Sequence, residues 1–361
     1  MIITKIKLNN FRNLLPSEIE PDNKVNVIYG ENANGKTNLL EGIWLFSGAK
    51  SFRGAKDGEL LQFNKENALI YAEATCGETQ KNASIQIHNR RSAKLFDKKL
   101  QSAYLLAQYF HITVFSPQDL ALISGAPEVR RRFLDLCIGS IMPQYVGFLK
   151  EYNRAITQRG AVIKQIRENK GDKELLEPFE NTAAKWAQKI IRCRYRYVEK
   201  LNAYAANLYS GISSNKEKLS VKYDCPFSEN VTEQELKTAF AQNREADIKA
   251  GATTIGPKRD DLYITVDNRP AKSYASQGQK RSAAICLKLS EAKIMEEKWN
   301  DPPVILLDDV FSELDVSRQS FILNNLYDWQ VFITCCDPAN ITNLCGGKVF
   351  KVQKGKICIS T

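Results

Sequence analysis

Gly30-Glu31-Asn32-Ala33-Asn34-Gly35-Lys36-Thr37 fits the G-x-x-x-x-G-K-[ST] pattern of a phosphate-binding loop. Such a loop works through its backbone. The glycines let several N–H groups converge on one anion, and the helix that follows adds the positive end of its dipole. Lys36 is then expected to reach the β- and γ-phosphates, and the Thr37 hydroxyl to hold Mg²⁺. A second constellation is Val304-Ile305-Leu306-Leu307-Asp308-Asp309, four apolar residues and then two acids. A strand buried on both faces ends at the carboxyl edge of its sheet, where ligands bind in α/β folds. Asp308 is expected to help coordinate Mg²⁺, directly or through water, and Asp309 to orient an attacking water. An acid that merely caps a buried strand is the rival reading for either residue alone. Ser276-Gln277-Gly278-Gln279 opens a helix and offers an anion clamp at its N-terminus. Glycine turns before helices are common, so its place upstream of Asp308 is what gives this stretch meaning.

The elements needed to position these groups are legible. Lys24-Val25-Asn26-Val27-Ile28-Tyr29 alternates as a strand, and Asn38-Leu39-Leu40-Glu41-Gly42-Ile43-Trp44-Leu45-Phe46 carries apolar residues at helical spacing. Residues 2–8 read as a strand. Alternating stretches near 68–75, 83–87 and 94–96, with turns at Gly77 and His88-Asn89-Arg90-Arg91, predict a small antiparallel sheet. Val114-Phe115 is a short apolar strand. From Pro127 the pattern turns helical, with long helices over 144–169 and 173–209 and a further one starting at the Thr232-x-x-Glu235 capping box. Trp186, Ile190, Ile191, Tyr195, Val198 and Leu201 are expected on the buried stripe of the second long helix. Leu262 to Val266 returns to strand. Helix over 278–298, strand at 304–307, helix over 317–326, strand at 330–334 and a hairpin around Lys354-Gly355 complete the chain. A βα pattern at both ends with helices between predicts an α/β fold split by an inserted helical lobe: residues 1–115 and 247–361 in one lobe, 116–246 in the other.

Composition narrows the classes. The 361 residues are long for one core, and 43% hydrophobic with 25% charged residues is an ordinary globular balance. No apolar run approaches membrane-spanning length and no secretory leader is seen, so a cytoplasmic protein without membrane partners is expected. The nine cysteines are scattered without a C-x-x-C pair and read as reduced thiols; with two histidines, a protein metal cage is not expected. The net charge is +10, and the stretch from Arg130 to Lys200 holds sixteen Lys/Arg against eight Asp/Glu, most of that excess. Such a block suits a polyanion such as DNA. Arg130, Arg131, Arg132, Arg154, Arg159, Lys185, Lys189, Arg192 and Arg194 are the candidate contacts, with a solvated helical face as the rival reading of each.

The order of phosphate loop, Ser276-Gln277-Gly278-Gln279, Asp308-Asp309 and then Ser312-Glu313-Leu314-Asp315 resembles an ABC-type P-loop ATPase head. Within that superfamily Leu8-Asn9-Asn10-Phe11-Arg12-Asn13, Gly35 to Glu41, Ser51-Phe52-Arg53, Ser116-Pro117-Gln118-Asp119-Leu120, Arg131-Arg132-Phe133-Leu134-Asp135 and Gly256-Pro257-x-Arg259-Asp260-Asp261 resemble the RecF family of DNA replication and repair proteins. The resemblance implies an ATP-dependent homodimer in which Ser276 and Gly278 of one copy face the γ-phosphate on the other. It also implies preference for double-stranded DNA next to single-stranded gaps, weak DNA-stimulated ATP hydrolysis, and work with RecR and RecO in loading RecA. Ser312-Glu313-Leu314-Asp315 corresponds to the D-loop of such heads. Gln118 becomes the candidate for a glutamine that meets the metal, and Arg12 and Asn13 for contacts to the base. The chain departs from the pattern in three places. Lys258 stands where the family shows His, Asp309 where many heads have Glu, and Cys335-Cys336-Asp337 where most have a His. The shorter Asp309 side chain implies slow turnover. A transporter's nucleotide-binding subunit and a chromosome-organising head are the alternatives. The first calls for a histidine after the last core strand and an apolar docking surface, the second for long heptad arms.

Overall fold

The computed structural model describes residues 1–311, 314, 316–336 and 347–360. It divides into two compact units. The first comprises residues 1–120, 207–216 and those from Arg281 onward; the second comprises 121–206 and 217–280.

The first unit holds two six-stranded sheets. In one, Val25–Tyr29 lies between Val331–Cys335 and Lys348–Gln353, parallel to both. Val304–Asp308 pairs in parallel with Val331–Cys335 on one side and Ile112–Phe115 on the other. Lys356–Ser360 closes the far edge as an antiparallel hairpin strand. The strands Ile112–Phe115, Val304–Asp308 and Val331–Cys335 are buried at every position, which is why they are apolar apart from Thr113, Asp308 and Thr334. Phe115, Ile285, Leu289, Ala292, Ile305, Leu307 and Ile333 belong to one core cluster. Register then places the chemistry: Asp308 pairs with Thr334, and Thr334 with Ile28, two residues before the phosphate loop begins. The other sheet is antiparallel, with Ile2–Asn9 between Ser17–Ile19 and Ala68–Cys76, then Thr79–Ile87, Arg91–Leu95 and Lys98–Lys99. In Ala68–Cys76 the alternate residues Ala68, Ile70, Ala72 and Ala74 are buried, as the period-2 pattern predicts.

The second unit is mainly helical: Pro127–Ile141, Gln144–Arg167, most of Glu177–Ile212, Glu233–Gln242 and Arg244–Ala250. The capping box at Thr232 forms as expected, Glu235 N–H donating to Thr232 Oγ1 at 3.2 Å and Thr232 N–H to Glu235 Oε2 at 2.6 Å. A small sheet, Leu219–Asp224 with Asp261–Val266 and Arg269–Pro270, lies in the same unit. The unit boundary therefore falls at residue 280, where the sequence pattern placed it at 246. The cause is Leu219–Asp224, a strand with Leu219, Val221 and Tyr223 buried, whose partner is Asp261–Val266. Residues 207–216 go with the first unit, where Leu208 packs on the core cluster. Among the described residues no helix is long and apolar enough to cross a membrane.

Three of the cations expected to face DNA turn inward. Arg159 is fully buried, its guanidinium 2.7 Å from Asp247 and 3.0 Å from Glu180, and it donates to Thr253 Oγ1 at 2.9 Å. Arg194, also buried, donates to Asp135 Oδ1 at 2.9 Å, Tyr145 Oη at 3.1 Å and Pro257 O at 2.7 Å, with Asp260 at 3.4 Å. Arg130 is bidentate to Asp261, both bonds 2.7 Å. Arg131 is half-buried and donates to Asp260 O at 2.8 Å. Stretches that resembled functional motifs, Arg131 to Asp135 and Gly256 to Asp261, are thus cross-linked through Arg130, Arg131 and Arg194 inside one unit. Arg132, Arg154, Lys185, Lys189 and Arg192 remain exposed. A buried ion pair that loses one partner strands the other charge, at a cost of about 3–5 kcal/mol. Arg194→Met is accordingly expected to lower the unfolding free energy by roughly that amount in a denaturant titration, while Arg132→Ala leaves the midpoint where it was. Equal midpoints for Arg194→Met and the parent chain would show that the network carries no stability.

Candidate nucleotide site

The phosphate loop is built on backbone conformations that only glycine reaches cheaply. Gly30 has φ +151° and Gly35 φ +114°. A Cβ at Gly30 would lie 2.2 Å from Val352 O, and one at Gly35 2.8 Å from Asn13 Oδ1. Lys36 begins the helix Lys36–Trp44 and is only 8% exposed. Its ammonium donates to Gly30 O and, at 3.1 Å, to Glu31 O, so it spans the loop it is expected to serve. The hairpin turn at Lys354 and Gly355 clasps the same loop, with Lys354 N–H donating to Asn34 Oδ1 at 3.0 Å and Gly355 N–H to Asn34 O at 3.1 Å.

Two hydroxyls converge on one carboxylate oxygen. Thr37 Oγ1 donates to Asp308 Oδ1 at 2.8 Å, and Thr334 Oγ1 donates to the same atom at 2.9 Å. Burial pushes the Asp308 carboxyl above its ordinary range, opposed by these two hydrogen bonds; the neighbouring Asp309 pushes the same way as burial, and Arg53 opposes it. Asp309 is exposed at φ +53°, and its N–H donates to Thr334 Oγ1 at 2.9 Å. A hydroxyl and a carboxylate oxygen in contact beside a phosphate loop are a donor set that fits Mg²⁺, which takes few protein oxygens and keeps several waters.

A second network joins segments that were separate motifs in the sequence. Arg12 grips the buried Glu41 through two bonds, Nε to Oε2 at 2.8 Å and Nη2 to Oε1 at 3.1 Å. Ser51 Oγ donates to Glu41 Oε1 and accepts from Arg53 N–H at 3.1 Å. Arg53 Nη1 donates to Asn38 Oδ1 at 2.8 Å, Asn38 Nδ2 to Asn13 Oδ1 at 2.7 Å, and Asn13 Nδ2 to Ala33 O of the loop at 3.0 Å. Arg12, Asn32, Ala33, Gly35, Lys36, Thr37, Asn38 and Asp309 line one cleft of about 370 Å³, together with Arg53 and Thr334. Arg12 and Asn38 also line a neighbouring cleft with Asn13 and Phe63, a phenylalanine 89% exposed.

The sequence candidates thus gather unevenly. Gly30, Glu31, Asn32, Ala33, Asn34, Gly35, Lys36, Thr37, Asn38, Arg12, Asn13, Asp308 and Asp309 stand at one edge of the parallel sheet. Gln118 does not join them: it is exposed in the turn Pro117–Leu120 and lines neither cleft, since its neighbour Asp119 folds back to accept from Ser116 N–H at 2.7 Å. Ser276, Gln277, Gly278 and Gln279 belong to the second unit, where Ser276 caps the helix Gln277–Trp299. Gln279 N–H donates to Ser276 Oγ at 3.2 Å and Ser276 N–H to Gln279 Oε1 at 2.7 Å; Ser276 and Gln277 are exposed. Ser312, Glu313, Asp315 and Asp337 lie outside the described residues. Cys336, from the stretch Cys335-Cys336-Asp337 in which the resemblance calls for a histidine, does reach the loop: its Sγ accepts from Lys36 Nζ at 3.8 Å and donates to Asn32 Oδ1 at 3.4 Å. Sequence reasoning omitted Thr334, Glu41, Arg53 and Phe63 from the site. Glu41 and Arg53 lie in stretches whose resemblance to the family was the available signal; Thr334 and Phe63 lie in none of them.

Comparison with known proteins agrees with this geometry. Residues 2–359 match the family model described as the RecF/RecN/SMC N terminal domain. The chain is 36% identical to the DNA replication and repair protein RecF of Agathobacter rectalis over 363 residues, 99% of each chain. It is also 36% identical to that of Caldanaerobacter subterraneus subsp. tengcongensis, over 97% of this chain and 98% of the relative. A solved structure of the recombination mediator protein RecF-ATP superposes with a TM-score of 0.92 at 35% identity, covering 100% of this chain and 98% of that one. The Smc head domain from Pyrococcus furiosus shares the fold, with a TM-score of 0.57 at 14% identity. The chain belongs to the RecF family of DNA replication and repair proteins, ATP-binding ATPases with the α/β fold of SMC-like heads.

Proposed function

We propose that this chain binds ATP with Mg²⁺ at Lys36, Thr37 and Asp308, and closes on it as a homodimer through the Ser276 and Gly278 of a second copy. In the cytoplasm the closed form would hold DNA where duplex meets a single-stranded gap, hydrolyse ATP slowly with stimulation by DNA, and act with RecR and RecO in loading RecA. The observation that carries the nucleotide half of this reading is the contact of Thr37 Oγ1 with Asp308 Oδ1 at 2.8 Å beside the loop that Lys36 spans.

The work divides among the chain's own groups. The backbone N–H groups from Ala33 to Thr37 and the helix dipole receive the phosphates. Lys36 exchanges its loop carbonyls for phosphate oxygens, a trade of dipole contacts for full charges. When bound, Mg²⁺ supplies charge neutralisation at the β- and γ-phosphates, held by Thr37 and Asp308. Asp309, exposed in the cleft, orients the attacking water and accepts its proton. The side chain is one methylene shorter than the Glu of many heads, which suits slow turnover and a switch that persists on DNA. A γ-phosphate met from both sides binds the closed dimer more tightly than the open one, and that difference is what drives closure. The neighbouring cleft with Phe63 would take the base.

Lys36→Ala is expected to abolish ATP-induced dimerisation in sedimentation velocity, whereas the parent chain shifts to a dimer with ATP; a variant that still dimerises on ATP would remove Lys36 from the mechanism. Asp309→Asn is expected to keep nucleotide affinity while turnover falls about 10²- to 10⁴-fold; unchanged turnover would take the general-base role from Asp309. Phe63→Ala is expected to weaken ATP about tenfold, on the order of 1.4 kcal/mol of stacking, with tripolyphosphate binding unaltered. Loss of both together would place Phe63 in the phosphate site and not under the base.

A further inference from the structure

The helices Gln144–Arg167 and Glu177–Ile212 of the second unit carry an aromatic pair among cations. Phe148 and Trp186 stack with ring centroids 5.6 Å apart and planes 28° from parallel. Lys189 Nζ stands 5.2 Å from the Phe148 ring centre and 4.7 Å from that of Trp186, and Lys185 Nζ stands 5.3 Å from Trp186. The sequence pattern put Trp186 on a buried stripe with Ile190 and Ile191. Those two are buried, whereas Trp186 is only partly buried, leaning on Phe148 of the neighbouring helix. Lys185, Lys189 and Arg192 follow at helical spacing of four and three, so they share a face, and all three are exposed. Among the described residues none of the three has a carboxylate within ion-pair distance, whereas Arg196, the next cation along, is held by Glu229 at 3.1 Å.

Partly exposed aromatic rings beside cations that no carboxylate neutralises are the elements by which proteins hold single-stranded nucleic acid: the lysines over the rings can swing out to the phosphates as bases stack in their place. A duplex keeps its bases stacked inside and shows a surface of phosphates, so it meets the cations and leaves the rings unused. We propose that Trp186 and Phe148, with Lys185, Lys189 and Arg192, form a platform for an unpaired stretch of DNA, its bases stacked on the rings and its phosphates on the three cations. The platform rests on the DNA-binding reading above and deepens it, assigning the single-stranded side of a gap to this face.

The test uses the full chain with ATP, a labelled oligo-dT and a labelled duplex of equal length, titrated by fluorescence anisotropy at matched salt. Combined Phe148→Ala and Trp186→Ala substitution is expected to weaken oligo-dT about 5- to 150-fold, from roughly 1–3 kcal/mol of stacking per base, with duplex affinity within about twofold. Trp186→Phe restores most of the loss. Lys185→Glu with Lys189→Glu weakens both ligands and flattens the salt dependence. Oligo-dT also quenches Trp emission in the parent chain and not in Trp186→Phe, a readout that holds even where the double variant melts early. Unquenched emission, or a folded double variant that binds oligo-dT like the parent, overturns the platform. Equal loss of duplex and oligo-dT overturns it as well. Failure of the parent chain to bind either ligand at low salt removes the DNA-binding reading itself.

Discussion

One oxygen atom of Asp308 sets the terms for the rest of the first unit. It accepts from Thr37 at the start of the helix after the phosphate loop, and from Thr334 on the strand between. The strand Val331–Cys335 separates the loop's own strand from Val304–Asp308, so the two halves of the site are not sheet neighbours. Only an in-register parallel arrangement, with Asp308 opposite Thr334 and Thr334 opposite Ile28, brings the acid to the loop's hydroxyl. A slip of one residue would turn Asp308 to the opposite face of the sheet. The polar residues oppose that slip, because it would leave the Asp308 carboxylate buried without the Thr37 and Thr334 hydroxyls it accepts from.

The motifs that chemistry demands are legible in the order of the residues alone. Few ligands other than a nucleotide call for a glycine-bearing loop between a strand and a helix together with paired acids after an apolar run. Both fall at one edge of one sheet. The groups that sequence reasoning passed over act through other side chains. Thr334 is an ordinary β-branched strand residue until its register with Asp308 is known. Glu41 sits within a helix as any surface acid would, yet it is fully buried under Arg12 and Ser51. Pairings between residues tens to hundreds of positions apart leave no periodic trace, and so no local pattern announces them.

Charge counting misled for the same reason. The basic block between Arg130 and Lys200 suits a polyanion ligand by its charge, but Arg130, Arg159 and Arg194 neutralise Asp261, Glu180, Asp247, Asp135 and Asp260 within the second unit. Asp135 and Glu180 belong to the block, but Asp247, Asp260 and Asp261 lie beyond it and were left out of its balance. What remains exposed is smaller and more local, and part of it surrounds Trp186, a ring expected on the buried stripe. Net charge reports how many cations a segment has; burial decides which of them a ligand can meet.

The clasp of the hairpin turn on Asn34 carries a consequence for how the molecule is made. Lys354 and Gly355 are fixed to a loop some three hundred residues earlier. Contacts of such sequence separation form late, after the intervening chain has condensed. A ribosome will therefore have finished the phosphate loop long before that loop has its working shape, and a nascent chain should meet cellular nucleotide without engaging it.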